Sequence, residues 1–93
     1  MNTLTIIIPV YNESSTILEI LKKVLNVNIS KQLIVVDDCS TDDSREKILS
    51  FKDKIDKIIF HEKNLGKGAA VISAQEFING KYVIIQDADL EYD

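Results

Sequence analysis

An open, mainly parallel α/β sheet with helices on both faces is the fold class that the sequence predicts. Short apolar, β-branched runs alternate with helical stretches in the order strand, helix, strand, helix, strand, helix, strand. That order is the signature of a parallel sheet built by right-handed crossovers. The chain has 93 residues, 45% hydrophobic and 28% charged, enough for one small domain over residues 1–93 and too apolar for disorder. No repeat, linker or low-complexity segment interrupts it.

Leu4 to Val10 form the first buried strand, ended by Pro9 and by the polar Asn12-Glu13-Ser14-Ser15, which reads as a helix cap. Ile17, Leu18, Leu21, Val24 and Leu25 recur at helical spacing, with Glu19, Lys22 and Lys23 on the opposite side, so an amphipathic helix follows. Leu33 to Val36 make the second strand. Asp43, with Glu46 three residues on, predicts a capping box and a helix to about Phe51. Ile55 to Phe60 read as the third strand. Asn64-Leu65-Gly66-Lys67-Gly68 is a glycine-containing turn into a helix carrying Ala69, Ala70, Ile72, Ala74 and Phe77, with Asn79-Gly80 at its C-cap. Lys81 to Gln86 complete the sheet.

Composition narrows the partners. A formal charge of −4 argues against a nucleic-acid surface, which needs clustered Lys and Arg. Cys39 is the single cysteine, so no intrachain disulfide forms and a reducing, cytoplasmic compartment is expected. The segment MNTLTIIIPVYNE has no basic n-region and only a short apolar run, which predicts neither signal peptide nor membrane span.

Parallel strands send their C-terminal ends to one edge of the sheet, where ligands bind. Nine of the fifteen acidic residues fall in the segments that leave those ends: Glu13, Asp37, Asp38, Asp42, Asp43, Asp87, Asp89, Glu91 and Asp93. Like charges so crowded weaken a fold unless a cation or hydrogen-bond donors compensate them. A divalent metal is the simplest compensation, and hard carboxylate ligands select Mg²⁺ or Mn²⁺. Asp87 and Asp89 suit this role because alternate residues of an extended segment face the same way.

Other residues keep two readings. Asp38 either accepts hydrogen bonds from a base or ribose or serves as a turn aspartate. Tyr11 either stacks on a base or is an exposed turn residue. Lys67 meets a phosphate at a helix start or merely begins that helix. His61 and Cys39 show no partner for a nucleophile-and-base arrangement and read as structural.

Four stretches, TIIIPVYNE, LIVVDDCSTDDS, NLGKGAAV and YVIIQDADLEYD, resemble the family 2 glycosyltransferases of GT-A fold, nearest the dolichol- or polyprenyl-phosphate mannosyl- and glucosyltransferase branch. The resemblance spans nearly the whole chain. It implies a Rossmann-like nucleotide-binding half and transfer of a sugar from a nucleotide-sugar donor to a lipid phosphate, with inversion and Mg²⁺ or Mn²⁺. By the same resemblance Pro9, Tyr11 and Glu13 line the nucleotide pocket, and Val36 and Asp38 make the base and ribose contacts. Asp87, Ala88 and Asp89 form the diphosphate and metal motif, with Asp89 catalytic and Glu91 a further metal ligand, and Lys67 faces the donor.

Members of the family continue well past this motif, so the resemblance also implies that the acceptor half is absent and that the 93 residues alone do not turn over. Without that half, the strand ending at Gln86 is expected to be an unpaired apolar edge through which the chain self-associates. Two alternatives come from other classes. One is a non-catalytic nucleotide-binding or assembly module; the other is a phosphoacceptor receiver domain, which LIVVDD also resembles although its acid pair normally closes the first strand.

Overall fold

The computed structural model describes residues 2–88. Four parallel strands, β1 (Leu4–Val10), β2 (Lys31–Asp37), β3 (Lys57–Phe60) and β4 (Tyr82–Ile85), lie in the order β3-β2-β1-β4. Helices α1 (Ile17–Leu25), α2 (Ser44–Leu49) and α3 (Lys67–Ala74) connect them. In register, Ile6 pairs with Leu33, Ile8 with Val35 and Val10 with Asp37 across β1 and β2, while Ile7 of β1 pairs with Ile85 of β4.

Alternation along the central strands divides the core in two, because successive side chains of a strand point to opposite faces. Ile6, Ile8, Val10, Leu33 and Val35 pack with Ile17, Ile20, Leu21 and Val24 of α1 and Ile48 of α2. On the other face Ile7, Ile34 and Val36 meet Ala70 and Ala74 of α3. Small residues on α3 let that helix approach the sheet closely. The chain therefore leaves β1 on one face and reaches β4 across the other. The C-terminal ends of β1 and β4 diverge at this change of direction, where open α/β sheets place their ligands.

Four local expectations are revised. The third strand begins at Lys57, not Ile55, because a 3-10 turn over Lys52–Lys54 precedes it and Asp56 bonds to Leu33 through both its backbone N–H and its carboxylate. The second helix stops at Leu49. No capping box forms at its start: Asp43 takes a hydrogen bond from the Ser14 hydroxyl and an ion pair with Lys47, while Asp42 Oδ1 accepts the Ser44 N–H at 2.9 Å. Gly80 is not a left-handed C-cap, since Gly66 is the one described glycine with positive φ. What Gly80 supplies is space: a Cβ there would lie 2.5 Å from both the backbone nitrogen and Oγ1 of Thr5.

That close approach is bonded as well as packed. The Gly80 N–H donates to Thr5 Oγ1, the Thr5 hydroxyl donates to Gln32 Oε1, and Gln32 also receives the Asn79 N–H. A buried polar network fully satisfied in this way fixes β4 beside β1. On its other side β4 has no strand neighbour among the described residues, and Tyr82, Val83, Ile84 and Ile85 are 45–59% exposed.

Candidate nucleotide-binding cleft

The polar segment after β1 owes its shape to Asn12, which adopts a left-handed conformation at φ 52°. Asn is among the few residues that tolerate this. Its side-chain oxygen accepts the N–H of Thr41 at 2.7 Å and of Asp42 at 3.3 Å, and its own N–H donates to Ser40 Oγ. The Glu13 N–H donates to the buried Ser44 hydroxyl. The loops after β1 and β2 are thereby sewn together. Thr16, just before α1, donates its hydroxyl to the Ala88 carbonyl at 2.6 Å and draws the segment after β4 against them.

Between these segments lies a cleft of about 390 Å³. Pro9 of β1 and Tyr11 and Glu13 after it line the cleft, with Asp87 and Ala88 from the segment after β4, Lys67 and Ala70 from α3, and Asp38 just after β2. Seven residues named from the sequence thus share one cavity. Tyr11 stands at its rim, 44% exposed. Val36 is not among them: its side chain is fully buried under α3. Asp89 and Glu91, with Asp93, lie outside the described residues.

Of the two compensations expected for these acids, a cation or hydrogen-bond donors, Asp37 and Asp38 receive donors from within the protein. Asp37, fully buried, receives Arg45 Nε at 2.7 Å and both the N–H and hydroxyl of Ser40. Pairing with Asp37 holds the Arg45 pKa above its ordinary value despite burial. Asp38 accepts the N–H groups of Leu65 and Gly66 at 2.8 and 2.7 Å and His61 Nδ1 at 2.9 Å. Burial alone would push the Asp38 carboxyl up; the bonds from His61, Leu65 and Gly66 outweigh it and hold the pKa below the ordinary carboxylate value.

Asp87, more than half exposed, pairs with the equally exposed ammonium of Lys67. Among the described residues no group of three or more His, Cys, Asp or Glu could hold a metal. Asp87 nonetheless fits the role of one ligand, since it lines the cleft and its partner there is the exposed ammonium of Lys67. Mg²⁺ sites commonly use only one or two carboxylates, substrate phosphates filling other positions.

His61 differs from its sequence reading. It is structural as expected, but it has partners on both sides: Nδ1 meets Asp38 and Nε2 lies 2.7 Å from Ser73 Oγ. The order Ser, His, Asp resembles a nucleophile triad. Ser73 Oγ, however, lies 2.9 Å from the carbonyl of Ala69, four residues back on the same helix, where its hydroxyl proton is donated. Nothing in sequence spacing could pair residues 38, 61 and 73; only the parallel register does. Arg45, Asn12 and Thr16 were missed for the same reason, although a lone Arg after an acid pair was a usable signal.

Comparison with known proteins places this cleft in context. The model of the family described as "Glycosyl transferase family 2" matches residues 5–93. Dolichol-phosphate mannosyltransferase of Pyrococcus furiosus is 32% identical over 91 residues, covering 95% of this chain and 26% of that protein. A mannosyltransferase of Pyrobaculum calidifontis, solved with GDP-Man and Mn²⁺, superposes with a TM-score of 0.86 at 26% identity over 95% of this chain and 28% of its own. TarS 1–349 of S. aureus in complex with UDP-GlcNAc gives 0.85 at 27% identity, over 94% of this chain and 26% of its own. The chain spans about a quarter of the length of these relatives, and its fold is the Rossmann-like arrangement of GT-A enzymes. A receiver domain is excluded by the same likeness and by the strand order β3-β2-β1-β4.

Proposed function

Because the chain belongs to glycosyl transferase family 2, we propose that its cleft binds the nucleoside diphosphate of a sugar donor and that the protein transfers the sugar, with inversion, to a dolichyl or polyprenyl phosphate. The observation that carries this reading is one cavity walled by an aromatic ring, a buried carboxylate, a lysine and a cleft-facing aspartate. Tyr11 offers a face for a base. Asp38 has about four lone-pair sites and spends three on Leu65, Gly66 and His61, which leaves roughly one for a base or ribose donor.

Lys67 and Asp87 mark the diphosphate end. Phosphate oxygens would draw the Lys67 ammonium from Asp87 and free that carboxylate. Mg²⁺ or Mn²⁺, held there by Asp87 with Asp89 and Glu91, would supply positive charge to the departing diphosphate. Asp89 is the residue assigned the central metal contact. A lipid-phosphate acceptor is already anionic and needs little general base. Relatives named for dolichol-phosphate and undecaprenyl-phosphate transfer support that acceptor class, and a lipid acceptor makes a membrane face, the cytoplasmic one in this proposal, the place of work.

Calorimetric titration with UDP and GDP, with and without Mn²⁺, tests the proposal. One of the two should bind in a metal-dependent manner, and Asp89→Asn should weaken that binding by about 1–3 kcal/mol, as for loss of a charged partner. Equal affinity in EDTA removes the metal role. Failure of both nucleotides to bind removes the donor site.

A further inference from the structure

We infer that His61 is a positioning residue for the diphosphate end of the cleft, acting through Asp38 and the turn before α3 to set Lys67 in place. The inference rests on the reading of the cleft as a nucleotide site. Its ground is a chain of contacts that joins three elements. His61 leaves the end of β3, where its N–H continues the ladder to Asp37; its ring is buried, with 7% of the side chain exposed. Nδ1 reaches Asp38 just after β2, and Nε2 reaches Ser73 in the last turn of α3. A flat ring with polar atoms on two sides can bridge a loop carboxylate and a helix hydroxyl at once.

The carboxylate that His61 steadies is the anchor of the turn into α3. From Glu62 to Asn64 the chain is exposed, and then Leu65 and Gly66 both donate their N–H groups to Asp38. Convergence of two successive N–H groups on one carboxylate needs an unusual backbone, and Gly66 supplies it at φ 94°, ψ 165°, a region essentially closed to residues with a Cβ. Lys67 is the next residue, and it points its ammonium at Asp87.

His61 does not itself line the cleft, yet without it Asp38, which does, would be a buried carboxylate lacking its side-chain partner. Such a group recruits water or shifts, and the turn that hangs on it shifts as well. The Ser73 contact adds the second constraint, tying the ring to the helix that Lys67 begins.

Two arms test the assignment on the 93-residue chain. In the first, hydrogen exchange by NMR should show the Leu65 and Gly66 amides protected at least about tenfold relative to Lys63 and Asn64. His61→Phe, which keeps a flat ring without polar atoms, should abolish that protection while Ile7 and Ile34 stay protected. His61→Gln, whose side-chain amide N–H can still donate to Asp38, should restore it. Persistence of Leu65 and Gly66 protection in His61→Phe overturns the inference.

In the second arm, UDP and GDP affinities are measured for His61→Phe, Lys67→Ala and the double variant. Each single change should raise Kd about tenfold, and the double should raise it no further, because both remove the same contact. Additive losses overturn the inference. Should the wild type bind neither nucleotide, the proposed function fails while the exchange arm still decides the role of His61. Should His61→Phe unfold, His61→Gln carries both arms: retained amide protection with unchanged Kd supports the assignment, and loss of protection with unchanged Kd refutes it.

Discussion

Arg45→Ala removes the one cation that reaches a fully buried carboxylate among the described residues, and its cost can be worked from the geometry. Asp37 has no exposed surface and receives Arg45 Nε at 2.7 Å. Breaking a buried pair by deleting one partner costs about 3–5 kcal/mol when the surviving charge is left alone. Here Ser40 still donates two bonds to Asp37, and the Arg45 side chain is 36% exposed, which puts the charge effect near or below the lower figure. Arg45 Nη2 also donates to the His61 carbonyl at 2.7 Å, worth about 1 kcal/mol, and the guanidinium lies 4.9 Å from the Phe60 ring centroid. The expected total is about 3 kcal/mol. With a urea slope of about 1–3 kcal/mol per molar, the unfolding midpoint should fall by 1 M or more. The decisive variant is the double change Asp37→Asn with Arg45→Ala, which removes the stranded charge and should be more stable than Arg45→Ala alone. A double variant whose loss equals the sum of the singles, or an Arg45→Ala cost under about 1 kcal/mol, would refute the view that this acid is neutralised by its own fold.

Three more outcomes follow from the same packing. Gly80→Ala should destabilise by about 3 kcal/mol, the upper end of the overpacking range, because the new Cβ would meet the Thr5 backbone at 2.5 Å. Gly68→Ala, at a helical position with nothing within 4 Å, should instead stabilise by about 0.5–1 kcal/mol; thermal melts that rank the two the other way contradict the packing described. Acid unfolding probes Asp38, whose folded-state pKa lies below its ordinary 3.8. Its contribution is complete above that value and is lost as pH falls through the lower, folded one, so the stability advantage of the wild type over Asp38→Asn should shrink as pH falls below about 4. A difference constant from pH 7 to pH 2 would show that the carboxylate is not held ionised by its donors.

Much of this protein could be read without coordinates. Alternation of apolar runs and helical stretches specified four strands and three helices in order, since the periods of strand and helix are local properties of the chain. Position at strand ends marked Tyr11, Glu13, Asp38, Lys67 and Asp87, the family resemblance added Pro9 and Ala88, and these seven do share one cleft. Strand ends are predictable from sequence, and a parallel sheet brings them to one edge. Boundaries were less legible: β3 starts two residues late because Asp56 is held by Leu33 from the neighbouring strand.

The sequence by itself determined which residues crowd the edge; only the tertiary structure decided what each of them does there. Val36 reads as a site residue beside Asp38, yet alternation along β2 turns its side chain under α3. Asp37 and Asp38 are adjacent acids with opposite fates, one closed onto Arg45, the other onto His61 and a turn twenty-seven residues away in sequence. Charge and spacing are written along the chain. Compensation depends on which donors the register of β1, β2 and β3 brings within hydrogen-bond distance, and a short-range force acting between residues remote in sequence leaves no local trace.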